Sequence, residues 1–431
     1  MQHTLYIFLN YTKVGDLLFE SKKNEFSLKY EEDWIQNGFP VSNILGFDYN
    51  FSSQDIKNFI ENLLPEGDGL ERLVNYFQIS KNNKFALLQQ IGSETSGALS
   101  FLKVDTFNDL PTTFREISPI ELSMRIKQRK EIPITIWDEK PRLSIAGVQE
   151  KLPICKIGEK YGFGDGELAS THILKFDKGD ENLVLNEYFS LQLAKAMGIE
   201  VPNCEIKNFA DEFVLEIERF DRKIISDTKI EKLHIIDSLQ VLNLPVSFKY
   251  ERNFGNGRDV KNIREGVSFL KLETITKLTK LPIITKKALL EWSIVNLILG
   301  NSDAHGKNIS FFIDNKGLSI APFYDIVNIS LYEGKYDTSM AMGIDDEFAL
   351  DILTPYSVAA HCYSLDIKPK LFQKSFESCV DKMNESFEAI FEKIIVLNET
   401  FAKNYKNNLF KRIEKLQQVI KQASKFKKED I

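Results

Sequence analysis

Asp303, Asn308 and Asp325 are the residues of this chain whose types and spacing could do chemistry together. An apolar run, Trp292 to Leu299, breaks at Gly300 into the polar loop Asn301-Ser302-Asp303-Ala304-His305-Gly306-Lys307-Asn308. Asp303 and Asn308 stand five apart, and Asp325 follows within Pro322-Phe323-Tyr324-Asp325-Ile326. An acid, an amide and a second acid in this order can align a hydroxyl and hold magnesium on ATP. A lone loop aspartate is most often a cap or turn former. Three such residues behind an apolar helix point instead to phosphoryl transfer. Asn308 and Asp325 are hard oxygen donors of the kind Mg²⁺ accepts beside phosphate oxygens. Asp303 stands where the base belongs, and it need take its proton only late because the transition state is loose.

Phosphoryl transfer also needs a cation on the phosphates and donors around them. Lys175 lies in the strand-like run Thr171-His172-Ile173-Leu174-Lys175-Phe176. Glu187, twelve residues on in a helical stretch, is its candidate ion-pair partner. A lysine on an apolar strand is as often a solvated edge residue, and helix surfaces are rich in glutamate. The segment Ser144-Ile145-Ala146-Gly147-Val148-Gln149-Glu150-Lys151 sets small residues between two strand-like arms, so backbone N–H groups could approach an anion. Two look-alikes fail. Gly162-Phe163-Gly164-Asp165-Gly166 lacks the third glycine of a dinucleotide fingerprint, and Gly300 to Lys307 is one residue too long for a Walker loop, with Asn308 in the Ser/Thr position.

The elements that must position these residues follow from periodicity. Residues 1 to 105 read as a small α+β unit: strands at Leu5 to Leu9 and Glu25 to Tyr30, with turn chemistry at Gly15 and Asn24, then helices at Gln54 to Leu64, from Leu70, and at Phe85 to Gln90. This unit shows no nucleophile–base pair and no metal spacing, and reads as a docking or regulatory module. Residues 106 to 136 form a proline-containing connector with a short helix around Glu121 to Arg129. Residues 137 to 222 are strand-rich, with a helix from Leu183 to Met197 stopped by Gly198. Residues 223 to 431 are largely helical, with apolar repeats at Lys287 to Leu299, Lys370 to Met383, Glu385 to Ala402 and onward. The expected fold is therefore α+β and two-lobed like a protein kinase: an extra N-terminal subdomain, a strand-rich N-lobe and a helical C-lobe.

At 431 residues the chain is long enough for several cores, and its net charge of −7 argues against coating nucleic acid by overall charge. Four scattered cysteines without a CxxC pair suit a reducing compartment and give no zinc site. No secretory leader and no stretch of roughly 20 apolar residues is seen, so a cytoplasmic protein away from the membrane is expected. The lysine-rich run from Lys403 to Lys428 reads as one face of a solvated helix.

Taken together the motifs resemble the HipA family of serine/threonine kinases, the toxins of HipBA-type toxin–antitoxin pairs. The match is carried by Ser144 to Lys151, Glu218-Arg219-Phe220-Asp221-Arg222, Asn301 to Asn308 and Pro322 to Ile326. Glu61-Asn62-Leu63-Leu64-Pro65-Glu66-Gly67 and Gly97-Ala98-Leu99 extend it to the first unit. The resemblance implies Asp303 as catalytic acid, Asn308 and Asp325 as Mg²⁺ ligands, and ATP contacts from Lys175, His305 and Lys307. It implies Ala146, Gly147, Val148, Gln149, Glu150 and Lys151 as phosphate loop, and Glu218, Arg219 and Phe220 as the adenine hinge, with Glu187 behind Lys175. Ser144 corresponds to an autophosphorylated serine whose modification ejects that loop. The implied partners are a HipB-like helix-turn-helix antitoxin, operator DNA mainly through it, and a protein substrate, an aminoacyl-tRNA synthetase. Two departures stand out: Val148 where the family commonly has alanine, and Ile235-Ile236 in place of a Gln-Glu pair between His234 and Asp237. A kinase-fold co-repressor and a small-molecule kinase are the alternative readings.

Overall fold

Alternation sets the first sheet. In Glu25–Tyr30 the side chains of Phe26, Leu28 and Tyr30 are buried and those between them exposed, the pattern of a strand covered on one face. It is the edge of a four-stranded antiparallel sheet continued by Thr12–Glu20, Gln2–Leu9 and Leu99–Leu102. The helix Ser53–Leu63 packs on it, started by a capping box between Ser52 and Asp55. Gly15 is not a turn residue: it lies inside Thr12–Glu20, where a Cβ would sit 2.2 Å from the Lys29 carbonyl oxygen. Close approach of a neighbouring strand, not turn formation, is what requires glycine there. The turns fall at Asn10 and Asn24, both left-handed at φ 53° and 54°.

The computed structural model describes all residues except 93–94, 108–110, 143–149, 178, 180 and 210. Its second sheet has six strands in the order Cys204–Phe209, Glu212–Glu218, His172–Phe176, Lys151–Ile157, Lys160–Asp165 and Thr113–Ile117, with every neighbouring pair antiparallel. The two-residue period of His172–Phe176 sends Leu174 and Phe176 into a buried cluster with Leu152, Ile154 and Val214. Ile173 and Lys175 therefore face the other way, toward the large cavity of the protein. The helix Leu183–Met197 crosses this sheet and ends where Gly198 turns left-handed at φ 97°. It leans on the long carboxy-terminal helices, with Phe189 4.5 Å from Tyr405 and 6.2 Å from Phe387, ring to ring.

Beyond residue 223 the chain is helical but not only so. Ile235–Asp237, Ser310–Asp314 and Gly317–Ile320 form a three-stranded sheet that the helical periodicity hid. Pro282, Pro355 and Pro369 each open a helix, the position where a missing N–H costs nothing. The expected break near residue 384 is absent: Pro369–Leu397 is one helix of 29 residues. It stops at Asn398, whose side chain caps the next helix, Glu399–Ala423, through the Phe401 N–H at 3.0 Å. The fold is α+β and kinase-like. Among the described residues no helix is long and apolar enough to cross a membrane.

Two histidines buried in this framework make a testable demand on pH. His234 and His361 are each 4% exposed, and burial pushes both down to about 4. Between about pH 4 and 6.5 the unfolded chain protonates them while the folded chain does not, so stability falls as pH drops through that window. The loss approaches about 3 kcal/mol per histidine at its acid end. Thermal midpoints measured from pH 7 to 4.5 should decline steeply below 6.5.

Candidate active site

The helix Pro282–Leu299 delivers the loop. Gly300 adopts φ 73° as the helix ends, with its N–H and that of Asn301 both donating to the Asn296 carbonyl at 2.9 and 3.0 Å. The chain then folds back on itself. His305 N–H donates to the Asp303 carbonyl at 2.8 Å, and the Asn308 side-chain N–H donates to the same oxygen at 3.1 Å. That second bond commits the amide nitrogen of Asn308 and leaves its Oδ1 as the available donor atom. The Tyr250 hydroxyl donates to Asp303 Oδ1 at 2.8 Å. Asp303 keeps contact with solvent in the cavity, yet the surrounding protein pushes its carboxyl up to about 6. Loss of bulk water is the largest cause, Asp325 and Glu66 add to it, and Tyr250 and Lys249 oppose it.

Facing this loop, Lys175 Nζ meets Glu187 Oε1 at 2.7 Å and also pairs with Asp325 Oδ1. Glu187 is fully buried on the Leu183–Met197 helix. Burial works against the charge on Lys175, but Asp325 and Glu187 outweigh it and hold its pKa above the ordinary value. Burial likewise opposes the charge on Asp325, but Lys175 and Lys151 hold it well below the carboxylate range. Lys151, buried beside the triad, is pushed down to about 8, mainly by desolvation. Asp325 adopts a left-handed backbone at φ 57°, which aspartate tolerates better than most residues. Asn301 Nδ2 reaches the Asp325 carbonyl at 3.4 Å, so the two halves of the site are linked directly.

A single cavity of about 700 Å³ joins these groups. At one end lie Ile173, Ile217 and the Glu218–Phe220 segment, where Phe220 sits 5.8 Å from Tyr324 and 6.0 Å from Phe312, ring to ring. Arg219 turns its guanidinium away onto Asp221, at 3.0 and 2.8 Å, and Ser170 at 2.9 Å. Toward the other end lie Asp303 and His305, with Tyr250 edge-on to the His305 ring at 5.2 Å. Burial pushes His305 down to about 3, so its ring is neutral, and its Nδ1 has no hydrogen-bond partner among the described residues.

Two of the expected nucleotide contacts are arranged differently. Lys307 lines the cavity, but its ammonium is committed: Asn62 O and Oδ1 accept from it at 3.1 Å each, and Asp237 Oδ2 at 2.6 Å. Three N–H donors meet three acceptors, leaving none for a phosphate. Glu150 does not turn into the cavity, because Arg72 holds its carboxylate at 3.1 Å and Arg129 approaches it at 3.7 Å. Ser144, Ala146, Gly147, Val148 and Gln149 lie outside the described residues. The first hundred residues, read as free of chemistry, supply Asn62, Glu66, Ser96 and Gly97 to the cavity wall. Ile235, one of the two departures, lines it too. The sequence hint of those amino-terminal contributions lies in the two stretches, Glu61 to Gly67 and Gly97 to Leu99, that extend the family resemblance into the first unit.

A buried lysine bridging a helix glutamate and a loop aspartate, opposite an acid–amide loop, is the arrangement that kinase-type phosphotransfer requires. Comparison with known proteins narrows the class. A sequence model of the HipA-like C-terminal domain matches residues 143–393, and one of the HipA N-terminal domain matches residues 5–102. The chain is 39% identical over 417 residues to the serine/threonine-protein kinase toxin HipA of Shewanella oneidensis, covering 96% of this chain and 95% of the relative. It also superposes with a TM-score of 0.89 on HipA from the Shewanella oneidensis complex of HipA, HipB and operator DNA, at 37% identity over 98% of this chain and 100% of that one. The chain belongs to the HipA family and is a kinase of the HipA type.

Proposed function

We propose that the chain is an ATP-dependent serine/threonine protein kinase acting as the toxin of a type II toxin–antitoxin pair. The observation that carries this reading is the convergence of the Lys175–Glu187–Asp325 triad and the Asp303–Asn308 loop on one cavity. ATP enters with its base against the Glu218–Phe220 backbone, and its phosphates meet Lys175 and Lys151. Asn308 Oδ1 and the Asp325 carboxylate would hold Mg²⁺. The donor chemistry fits: both offer hard oxygen atoms, and the Asn308 amide nitrogen is turned onto the Asp303 carbonyl at 3.1 Å, which leaves its Oδ1 for the ion. When bound, the ion supplies positive charge against the phosphate oxygens. Asp303 takes the proton of the acceptor hydroxyl as that oxygen bonds to the terminal phosphorus and the bond to the ADP oxygen breaks. Glu187 fixes Lys175 and touches no reactant.

The toxin role is supported by the named activity of the Shewanella relative and by the HipB and operator DNA in its solved complex. In this reading a HipB-like helix-turn-helix protein is the antitoxin, operator DNA is reached mainly through it, and the substrate is an aminoacyl-tRNA synthetase in the cytoplasm. Ser144 is the self-phosphorylation site. A phosphate there would add a dianion to the phosphate-loop segment and so disfavour the anionic ATP.

The test is transfer of label from γ-labelled ATP with Mg²⁺ to the purified aminoacyl-tRNA synthetases of the source organism. Label in one synthetase is the expected result. Label confined to small molecules would favour a small-molecule kinase, and none at all would favour the co-repressor. Activity of the wild type should decay during incubation with ATP as Ser144 is modified, and Ser144→Ala should hold its initial rate.

A further inference from the structure

Two tethers, the first buried and the second half-buried, run from the amino-terminal part of the chain to the loop that carries Asp303 and Asn308. The first is the Asn62–Lys307 contact. Asn62 is 1% exposed, and besides its two acceptors for Lys307 it donates to the carbonyls of Asn58 and Leu244 at 3.0 Å each. Its orientation is therefore fixed from both ends of the amide. Lys307 is the middle residue of the single 3₁₀ turn Gly306–Asn308, so immobilising it immobilises its neighbour Asn308.

The second tether starts at Glu66. Its carboxylate meets Lys249 at 2.9 Å, and both side chains are largely buried. The Lys249 carbonyl accepts from the Gly306 N–H at 3.0 Å, and the next residue, Tyr250, is the one whose hydroxyl donates to Asp303. Glu66 thus holds the segment that contacts the loop at both Gly306 and Asp303. A partner-docking module would need neither contact, since each points inward to the cavity.

We propose that Asn62 and Glu66 are positioning residues of the phosphotransfer site, so that the amino-terminal part of the chain completes that site rather than only carrying partners. The proposal rests on the kinase reading above. Each residue acts at one remove: Asn62 on Asn308 through Lys307, and Glu66 on Asp303 through Lys249 and Tyr250.

The experiment uses the full chain with Asn62→Ala and, separately, Glu66→Gln, which keeps shape and loses charge. Hydrogen exchange in peptides covering 301–309 is measured without nucleotide, alongside kcat and KM for ATP. Exchange in that segment should accelerate in both variants. kcat should fall about tenfold or more while KM for ATP stays within about threefold, because positioning acts on the reacting geometry and not on nucleotide binding. A purely structural role would instead lower thermal stability with kcat of the folded fraction unchanged, and that overturns the proposal. So does unchanged exchange across 301–309 in Glu66→Gln, the variant least disturbing to the fold. Exchange does not require turnover, so an inactive wild type would count against the kinase reading and leave this test standing.

Discussion

Asp303→Asn should reduce phosphotransfer by about 10²- to 10⁴-fold, the range that a positioned proton acceptor contributes. The fold should not suffer. Asparagine keeps an oxygen for the Tyr250 hydroxyl, now 2.8 Å from Asp303 Oδ1, and it removes a carboxylate that its surroundings disfavour as a charge. ATP affinity should stay within a few fold, since Lys175, Lys151 and the Glu218–Phe220 segment are untouched. Initial rates with γ-labelled ATP and a thermal midpoint separate these effects. A rate within threefold of wild type, with the midpoint unchanged, would remove Asp303 from the mechanism.

Lys175→Met should be costly twice over. The cation proposed to meet the phosphates is lost, and Glu187 is stranded at 0% exposure with its ammonium partner gone. Removing one member of a buried ion pair typically costs about 3–5 kcal/mol, because the remaining charge is neither solvated nor paired. In a chain of this size that is a fall of roughly 3–6 °C in thermal midpoint. Lys175→Met combined with Glu187→Leu should recover most of the stability and none of the activity, since replacing both partners leaves no orphan charge. Equal midpoints for Lys175→Met and wild type would mean the pair is not electrostatically closed in solution.

Those two effects depend on contacts that close over short stretches of sequence. Lys175 and Glu187 are twelve residues apart, and a strand followed by a helix packed on its own sheet brings such residues together by local geometry alone. The Asp303–Asn308 bond closes over five residues of one loop. Both are readable because sequence distance is short. Lys307 is the opposite case: its acceptors in Asn62 and Asp237 lie 245 and 70 residues away. No local pattern distinguishes a lysine bound for a phosphate from one bound for a distant asparagine.

The elements follow the same rule. The Leu183–Met197 helix and its Gly198 stop are set by local residues. Gly15 misleads because a glycine needed for close strand approach looks like a glycine needed for a turn. The helix Pro369–Leu397 runs through Asn384 because Phe376, Met383, Phe387 and Ile394 keep one face buried across it. Burial overrides a weak local breaker there. In the three-stranded sheet Ile235–Asp237 pairs with Ser310–Asp314, more than seventy residues on, beyond the reach of periodicity.

The most direct test of the kinase account is intact mass with peptide mapping, before and after incubation with Mg²⁺ and ATP, for wild type and Asp303→Asn. One added phosphate, on the peptide containing Ser144, is expected in the wild type and none in the variant. An unmodified wild type that also carried no phosphate beforehand, or equal modification of both proteins, would contradict it.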